Sequence, residues 1–138
     1  MNRRMLLALT AAGLLAPLRS MAEEERLYYE PGLAEAAMDK GEVILLDFFA
    51  PWCSTCRAQE RVLIDLRGAN SAYDEAITFI TVDWDTHGNG ELARSLEVPR
   101  RSTLIALDGE TELGRVVAGT GREEIMALLD AALEAAAN

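Results

Sequence analysis

Leu45-Leu46-Asp47-Phe48-Phe49-Ala50-Pro51-Trp52-Cys53-Ser54-Thr55-Cys56-Arg57 is the stretch on which the reading of this chain turns. It opens inside an apolar run, Val43 to Phe49, interrupted only by Asp47. A run of that length without alternation suits a strand buried on both faces, the usual state in a parallel sheet. Pro51 breaks it, and a helical period starts at Ser54. Ala58, Val62 and Leu66 recur at four-residue spacing with Leu63 beside them, which predicts a helix over 54–67 closed by Gly68. Cys53 and Cys56, the chain's 2 cysteines, then fall at the first turn of that helix. The stretch reads as a redox dithiol on a helix N-terminus with a buried carboxylate behind it.

Outward from this stretch, composition limits the alternatives. The chain has 138 residues, enough for one domain with its own core, and 50% of them are hydrophobic, which argues against disorder. The formal charge is −10. Nucleic acid is a poor partner for so acidic a body, because its binding rests on neutralising phosphates. Asn2-Arg3-Arg4, the apolar run Met5 to Leu18 and the small-x-small Ser20-Met21-Ala22 read as an export signal over 1–22, leaving a domain over 23–138. The alternative is an uncleaved anchor, but the run is short of the ~20 apolar residues a span needs. The Arg pair leaves both general and twin-arginine export open. The domain is therefore expected in the periplasm or secreted.

Export permits a disulfide to persist. A Cys53–Cys56 bridge would close too small a loop to be an effective staple, so a structural role is the poorer reading. Two cysteines and the single His87 do not make a four-ligand zinc site.

The flanking sequence reads in order as follows. Residues 23–31 are a lead-in with room for a short strand. Gly32 to Lys40 is a short helix stopped by Gly41. Ser71 to Ala76 is a further helical turn, and Ile77 to Asp83 a second buried strand. Trp84 to Gly90 reads as a loop, with Asn89 capping a short helix that holds Leu92, Ala93 and Leu96. Ser102 to Leu107 is a third strand. Asp108-Gly109 turns it back into Glu112 to Ala118. Thr120-x-x-Glu123 reads as a capping box for a final helix with Ile125, Leu128, Leu129, Ala132, Leu133 and Ala136 on one face. Strands separated by helices predict parallel pairing, and the last hairpin adds an antiparallel edge.

This pattern resembles the thioredoxin family over roughly residues 30 to 138. Phe49-Ala50-Pro51-Trp52-Cys53-Ser54-Thr55-Cys56-Arg57 is similar to the family's W-C-x-x-C site with its preceding strand, and Asp47 sits where thioredoxins carry a buried acid. The resemblance implies an α/β, three-layer fold with a central mixed sheet flanked by helices. The export signal and Val82-Asp83-Trp84-Asp85 are similar to periplasmic thioredoxin-like domains. Two departures stand out. The family has a cis-proline facing the dithiol; here that position falls on Ser102, with Thr103 after it. A cis bond before serine costs ~3 kcal/mol against under ~1 for proline. Arg101-Ser102 is then trans with a reshaped groove, or strained cis, or the loop slips so that Pro99 takes the place. Thr81 stands near where thioredoxins have a lysine close to the buried acid.

Exchange chemistry needs a thiolate, a second thiol and access for a partner disulfide. Cys53, at the helix N-terminus, is the expected nucleophile, exposed and acidified by free amides and the helix dipole. Cys56, one turn inward, is the expected resolving thiol. Asp47, with its pKa raised by burial, is the expected proton acceptor for Cys56, through water. Pro51, Trp52, Arg101, Ser102 and Thr103 are the expected substrate groove, with Arg100 and Arg101 selecting an acidic partner.

The function expected is reduction of, or electron transfer to, a protein disulfide. Ser54-Thr55 offers no charge to stabilise the thiolate, which points to a potential at the reducing end. The expected partners are protein disulfides and dithiols, with a membrane thiol reductase as candidate donor. No cofactor, no metal and a monomer are expected. Two alternatives are a non-catalytic binding module and a soft-metal carrier using both thiolates.

Overall fold

The strand expected to be buried on both faces is the middle strand of the sheet. In a computed structural model that describes residues 26–138, β1 (Leu27–Tyr28) is followed by α1 (Leu33–Asp39), β2 (Val43–Phe49), α2 (Ser54–Ala69), α3 (Ala72–Ala76) and β3 (Ile77–Asp83). The chain continues through α4 (Trp84–His87), α5 (Glu91–Ser95), β4 (Thr103–Asp108), β5 (Thr111–Val117) and α6 (Arg122–Ala136). The export signal expected over 1–22 lies outside the described residues. Among the described residues no helix is long and apolar enough to cross a membrane.

The sheet runs β1-β3-β2-β4-β5. β2 pairs parallel with β3 from Val43↔Ile77 to Phe49↔Asp83, and antiparallel with β4 from Val43↔Asp108 to Phe48↔Thr103. A helix-separated β4 had been expected to run parallel. It does not, because the chain leaves β3 and enters β4 at the same end of the sheet, beside Phe48 and Phe49. That geometry delivers Ser102 to the end of β2 where the cysteines begin.

Alternation along β2 splits the core into two layers. Val43 and Leu45 pack under α2, α3 and α6, against Leu63, Leu66, Tyr73, Ile125, Leu128 and Leu129. Ile44, Leu46 and Phe48 pack on the other face against α1 and α5 through Ala34, Ala37, Leu92 and Ala93. Burial on both faces explains the unbroken apolar run. Asp47 shares the α2 side with Val43 and Leu45, by the two-residue period of a strand.

The boundary signals misplace several ends. Gly68 does not stop α2; the helix continues to Ala69 and ends where Asn70 becomes extended (φ −140, ψ 101). Trp84–His87 is a helical turn rather than loop, with the Thr86 hydroxyl donating to Asp83 Oδ2 at 2.6 Å. Neither Asn89 nor Thr120 caps a helix. The N-caps are Gly90 and Gly121, and neither helix has a side-chain cap hydrogen bond. Starting α6 one residue late puts Glu123 out of step with Thr120, so the capping box does not close.

Candidate active site

Pro51 and Trp52 turn the chain from β2 into α2, and Cys53 becomes the N-cap of that helix. Its Sγ accepts the backbone N–H of Cys56 at 3.2 Å. A helix leaves its first amides without partners, and here a sulfur fills the place an oxygen usually takes. Cys56 lies one turn in and is fully buried. Both cysteines are free thiols.

Ser102 faces the pair. Its Oγ is 3.1 Å from Cys53 Sγ and 3.2 Å from Cys56 Sγ. Among the described residues no peptide bond is cis, so the chain takes the trans alternative at Arg101-Ser102, and Ser102 instead has φ 64. That left-handed conformation is unfavourable for a residue with a Cβ. The surroundings hold it: Ser102 N–H donates to Phe48 O at 2.8 Å, and Ser102 O accepts from Ala118 N at 2.8 Å and from Gln59 Nε2 at 2.9 Å. The same Gln59 amide donates to Gly119 O at 2.9 Å. Pro99 is exposed and does not take the position facing the sulfurs.

Cys53 had been expected to be exposed; it is 4% exposed. Trp52, 56% exposed, and Arg101 stand beside it. The Arg101 guanidinium lies 4.5 Å over the Trp52 ring, and the indole N–H donates to both Asp85 carboxylate oxygens at 2.9 and 3.0 Å. Arg101 Nε is buried with no hydrogen-bond partner. Of the expected groove residues, Pro51 and Trp52 are on the surface and Arg101 is half-buried. Ser102 and Thr103 are fully buried, and the Thr103 hydroxyl donates to Arg100 O at 2.7 Å. Ser102 therefore meets the sulfurs rather than an open surface.

The two thiols are driven apart. Burial alone would push the Cys53 thiol up, but hydrogen bonds from Cys56, Ser102, the Cys56 amide and Arg101 outweigh it and lower the thiol from 9.0 to about 7. Burial raises the Cys56 thiol, the hydrogen bond it donates to Cys53 holds its proton and raises it further, and the Cys53 charge beside it adds a smaller push.

Asp47 sits apart from the sulfurs, at the wall of a cavity of about 260 Å³ between β3, β1 and α2. The residue is half-buried, yet its Oδ1 is sealed and has no hydrogen-bond partner. Burial raises the acid from 3.8 to about 7, and the Arg26 charge pulls it back only in part. Arg26 also lines the cavity, pairs with Glu60 and stacks 4.5 Å over Phe49. Thr81, on the same wall, carries no charge, so the cation near the acid comes from the edge strand. The cavity is largely apolar, but Arg26, Asp47, Glu60 and Thr81 bring polar groups to it and it is roomy enough for water.

Four of these residues had no place at the site in the sequence reading, although Trp84 and Asp85 stood in a stretch quoted there for its resemblance. Gln59 falls three residues after Cys56, on the same helical face, so its position was a usable signal. Arg26, Trp84 and Asp85 were separated from the motif by turns that no spacing rule crosses. Trp84 packs edge-to-face on Phe48 with centroids 6.4 Å apart, beside Phe49 and the cysteines. Gly88 makes room for it: a Cβ there would meet the indole at 2.8 Å. His87 is half-buried and packs edge-on to Tyr29 at 5.1 Å. Among the described residues no three His, Cys, Asp or Glu side chains gather into a metal-holding group.

A mixed sheet between two helical layers, with a free dithiol at the start of the helix that follows its middle strand, defines a protein built for thiol–disulfide exchange. Comparison with known proteins narrows this class. The thioredoxin family model matches residues 31–131. A Brassica campestris thioredoxin H-type is 33% identical over 95 residues, covering 69% of this chain and 72% of the relative. The crystal structure of Trxlp from Edwardsiella tarda matches with TM-score 0.65 and 27% identity, over 75% of this chain and 97% of that one. Mitochondrial thioredoxin 3 from Saccharomyces cerevisiae shares the fold, with TM-score 0.64 at 17% identity, over 79% and 98% of the two chains. The chain belongs to the thioredoxin family and is a protein-disulfide oxidoreductase of that family.

Proposed function

We propose that the protein is an exported reductant of protein disulfides, with Cys53 as nucleophile and Cys56 as resolving thiol. The observation that carries the reading is the Cys53 sulfur itself. It caps α2, accepts the Cys56 amide and is lowered to about 7, which brings the thiolate within reach at neutral pH. The Cys53 thiolate attacks one sulfur of a partner's cystine, and the other partner sulfur leaves. Cys56 then loses its proton and attacks Cys53, which releases the partner as a dithiol and leaves a Cys53–Cys56 disulfide. Asp47 is the proton acceptor through cavity water, since its raised pKa leaves it partly ionised at the pH where Cys56 must be deprotonated.

The partner docks over Pro51, Trp52 and Arg101, and Arg101 must swing off Trp52 to uncover the sulfur. The unpartnered Arg101 Nε favours a partner with an acidic side chain near its cystine. A membrane thiol reductase is the proposed regenerating donor, and the periplasm or exterior the proposed location. The mass and the cell fraction of the chain recovered from its host test export: loss of residues 1–22, or an intact chain in the membrane fraction, supports it, and an intact chain in the cytosolic fraction removes it.

Reduction of insulin by the purified protein, with Cys53→Ser alongside, tests the activity. The expected result is turnover that falls to background in the variant; equal rates would defeat the reading. A Cys56→Ser variant is expected to accumulate mixed disulfides with its physiological partners, which mass spectrometry identifies. The 4% exposure of Cys53 favours a second reading, an inert binding module. Alkylation across pH separates them: a Cys53 titrating at the ordinary ~8.5 would support the module.

A further inference from the structure

We propose that the Ser102 hydroxyl is a catalytic donor that serves the two sulfurs in turn, first holding Cys53 as the thiolate and then holding Cys56. This rests on the dithiol reading above and adds a residue to its chemistry. The geometry carries it: one hydroxyl, fully buried, lies 3.1 Å from one sulfur and 3.2 Å from the other. These are short contacts for sulfur and oxygen, and a hydroxyl has one proton to give and two lone pairs to receive with. A thiolate only accepts. In the reduced protein Ser102 Oγ–H donates to Cys53 Sγ, and the Cys56 thiol shares its one proton between Ser102 Oγ and the Cys53 sulfur.

Attack changes which sulfur needs the proton donor. The Cys53 thiolate forms a bond to a partner sulfur, and the partner's S–S bond breaks. The leaving sulfur departs as thiolate and takes a proton from water. Cys53 is now a neutral, weak acceptor. Ser102 Oγ–H turns to Cys56 as that thiol gives its proton to Asp47 through water. The Cys56 thiolate then attacks Cys53 Sγ, the Cys53–partner bond breaks, and the partner sulfur leaves. Two electrons have passed from the dithiol to the partner's disulfide. The hydroxyl ends where it began, between both sulfurs, having changed only its direction.

Two features make the donor fit this task. Its backbone is fixed by Phe48 O, Ala118 N and Gln59 Nε2, so only the hydroxyl rotor has to move. Both sulfurs are nearly sealed from solvent, so water does not replace the hydroxyl readily, and a bond to a charged sulfur is stronger there than in water.

The test is the reaction of reduced protein with 5,5′-dithiobis(2-nitrobenzoate) in a stopped-flow instrument. Attack by Cys53 releases one coloured thiolate and resolution by Cys56 releases the second, so the two steps appear as two phases. The variants are Ser102→Gly, which accepts φ 64 without strain, and Ser102→Ala, which keeps a Cβ. Both are expected to move the pH midpoint of the first phase up by about one unit and to slow the second phase about ten-fold. Agreement between them separates loss of the hydroxyl from backbone strain. Unchanged phases in Ser102→Gly overturn the proposal, and so does a shifted first phase with an unchanged second. If the unsubstituted protein shows no fast first phase at pH 7, the dithiol reading itself fails instead.

Discussion

The mouth around Cys53 and the cavity around Asp47 hang from one strand and are built in opposite ways. At the mouth, donors from Cys56, Ser102 and Arg101 converge on a sulfur that burial would otherwise keep protonated, and the thiol comes down from 9.0 to about 7. In the cavity no donor reaches Asp47 Oδ1, and burial takes the acid up from 3.8 to about 7. Two groups of different chemistry thus arrive near the same value from opposite sides. Hydrogen bonding does it in one place and burial does it in the other. A base matched to its working pH is an effective proton acceptor, so the undersatisfied carboxylate suits function at a cost in stability.

Asp47→Asn breaks the comparison most severely. The second phase of disulfide exchange is expected to slow ~100-fold while the first is unchanged, the usual scale for loss of a general base. Stability moves the other way. Between about pH 4 and 7 the folded acid keeps a proton that the unfolded chain has released, so wild-type stability falls as pH rises through this window and then levels off. Asparagine removes that loss. Chemical denaturation is expected to give a variant about 2–4 kcal/mol more stable at pH 8 and no more stable at pH 4. A gain of equal size at both pH values would mean that ionisation is not the cause.

Arg101→Gln acts on the mouth alone. It takes away the guanidinium beside Cys53, so the thiol is expected to titrate higher and iodoacetamide alkylation at pH 7 to fall about ten-fold. The pH dependence of stability in the acid range, which belongs to Asp47, is expected to stay as it was. Faster alkylation would instead mean that Arg101 acts chiefly as a cover over the sulfur.

How much of this was legible depends on whether a feature is local. β2, β3 and the dithiol at the start of α2 could be read because burial on both faces and a helical period leave direct traces in the chain. Asp47 was legible for the same reason, as the one charge in an apolar run. The thiolate's support was legible only in part. The Cys56 amide was, as one of the free amides expected at the helix start, but the Arg101 and Ser102 donors lie 48 and 49 residues beyond Cys53 in the numbering, and only the resemblance put Ser102 opposite the sulfurs. They arrive because β4 runs antiparallel, which the helix-separated pattern did not foretell. Cap signals failed for a different reason: at Asn89 and Thr120 the neighbouring Gly90 and Gly121 took the N-cap positions.

Arg26→Gln sharpens the comparison by the smallest step. Arg26 is carried in by β1, at the sheet's edge, and its charge is the one influence that lowers Asp47. Without it the acid is expected to hold its proton to a pH above about 7. The window in which stability falls then widens upward, so the variant loses more relative to wild type at pH 9 than at pH 5. Loss of the Glu60 pair and of the Phe49 stack costs stability at both pH values, and the difference between them isolates the Asp47 contribution. In an Asp47→Asn background that difference is expected to vanish, since no acid remains to be tuned. Its persistence would assign the effect to Glu60, the other acid Arg26 touches. The first phase at Cys53 is expected to be unmoved in either background, because the cavity and the mouth share a strand but no hydrogen bond between these groups.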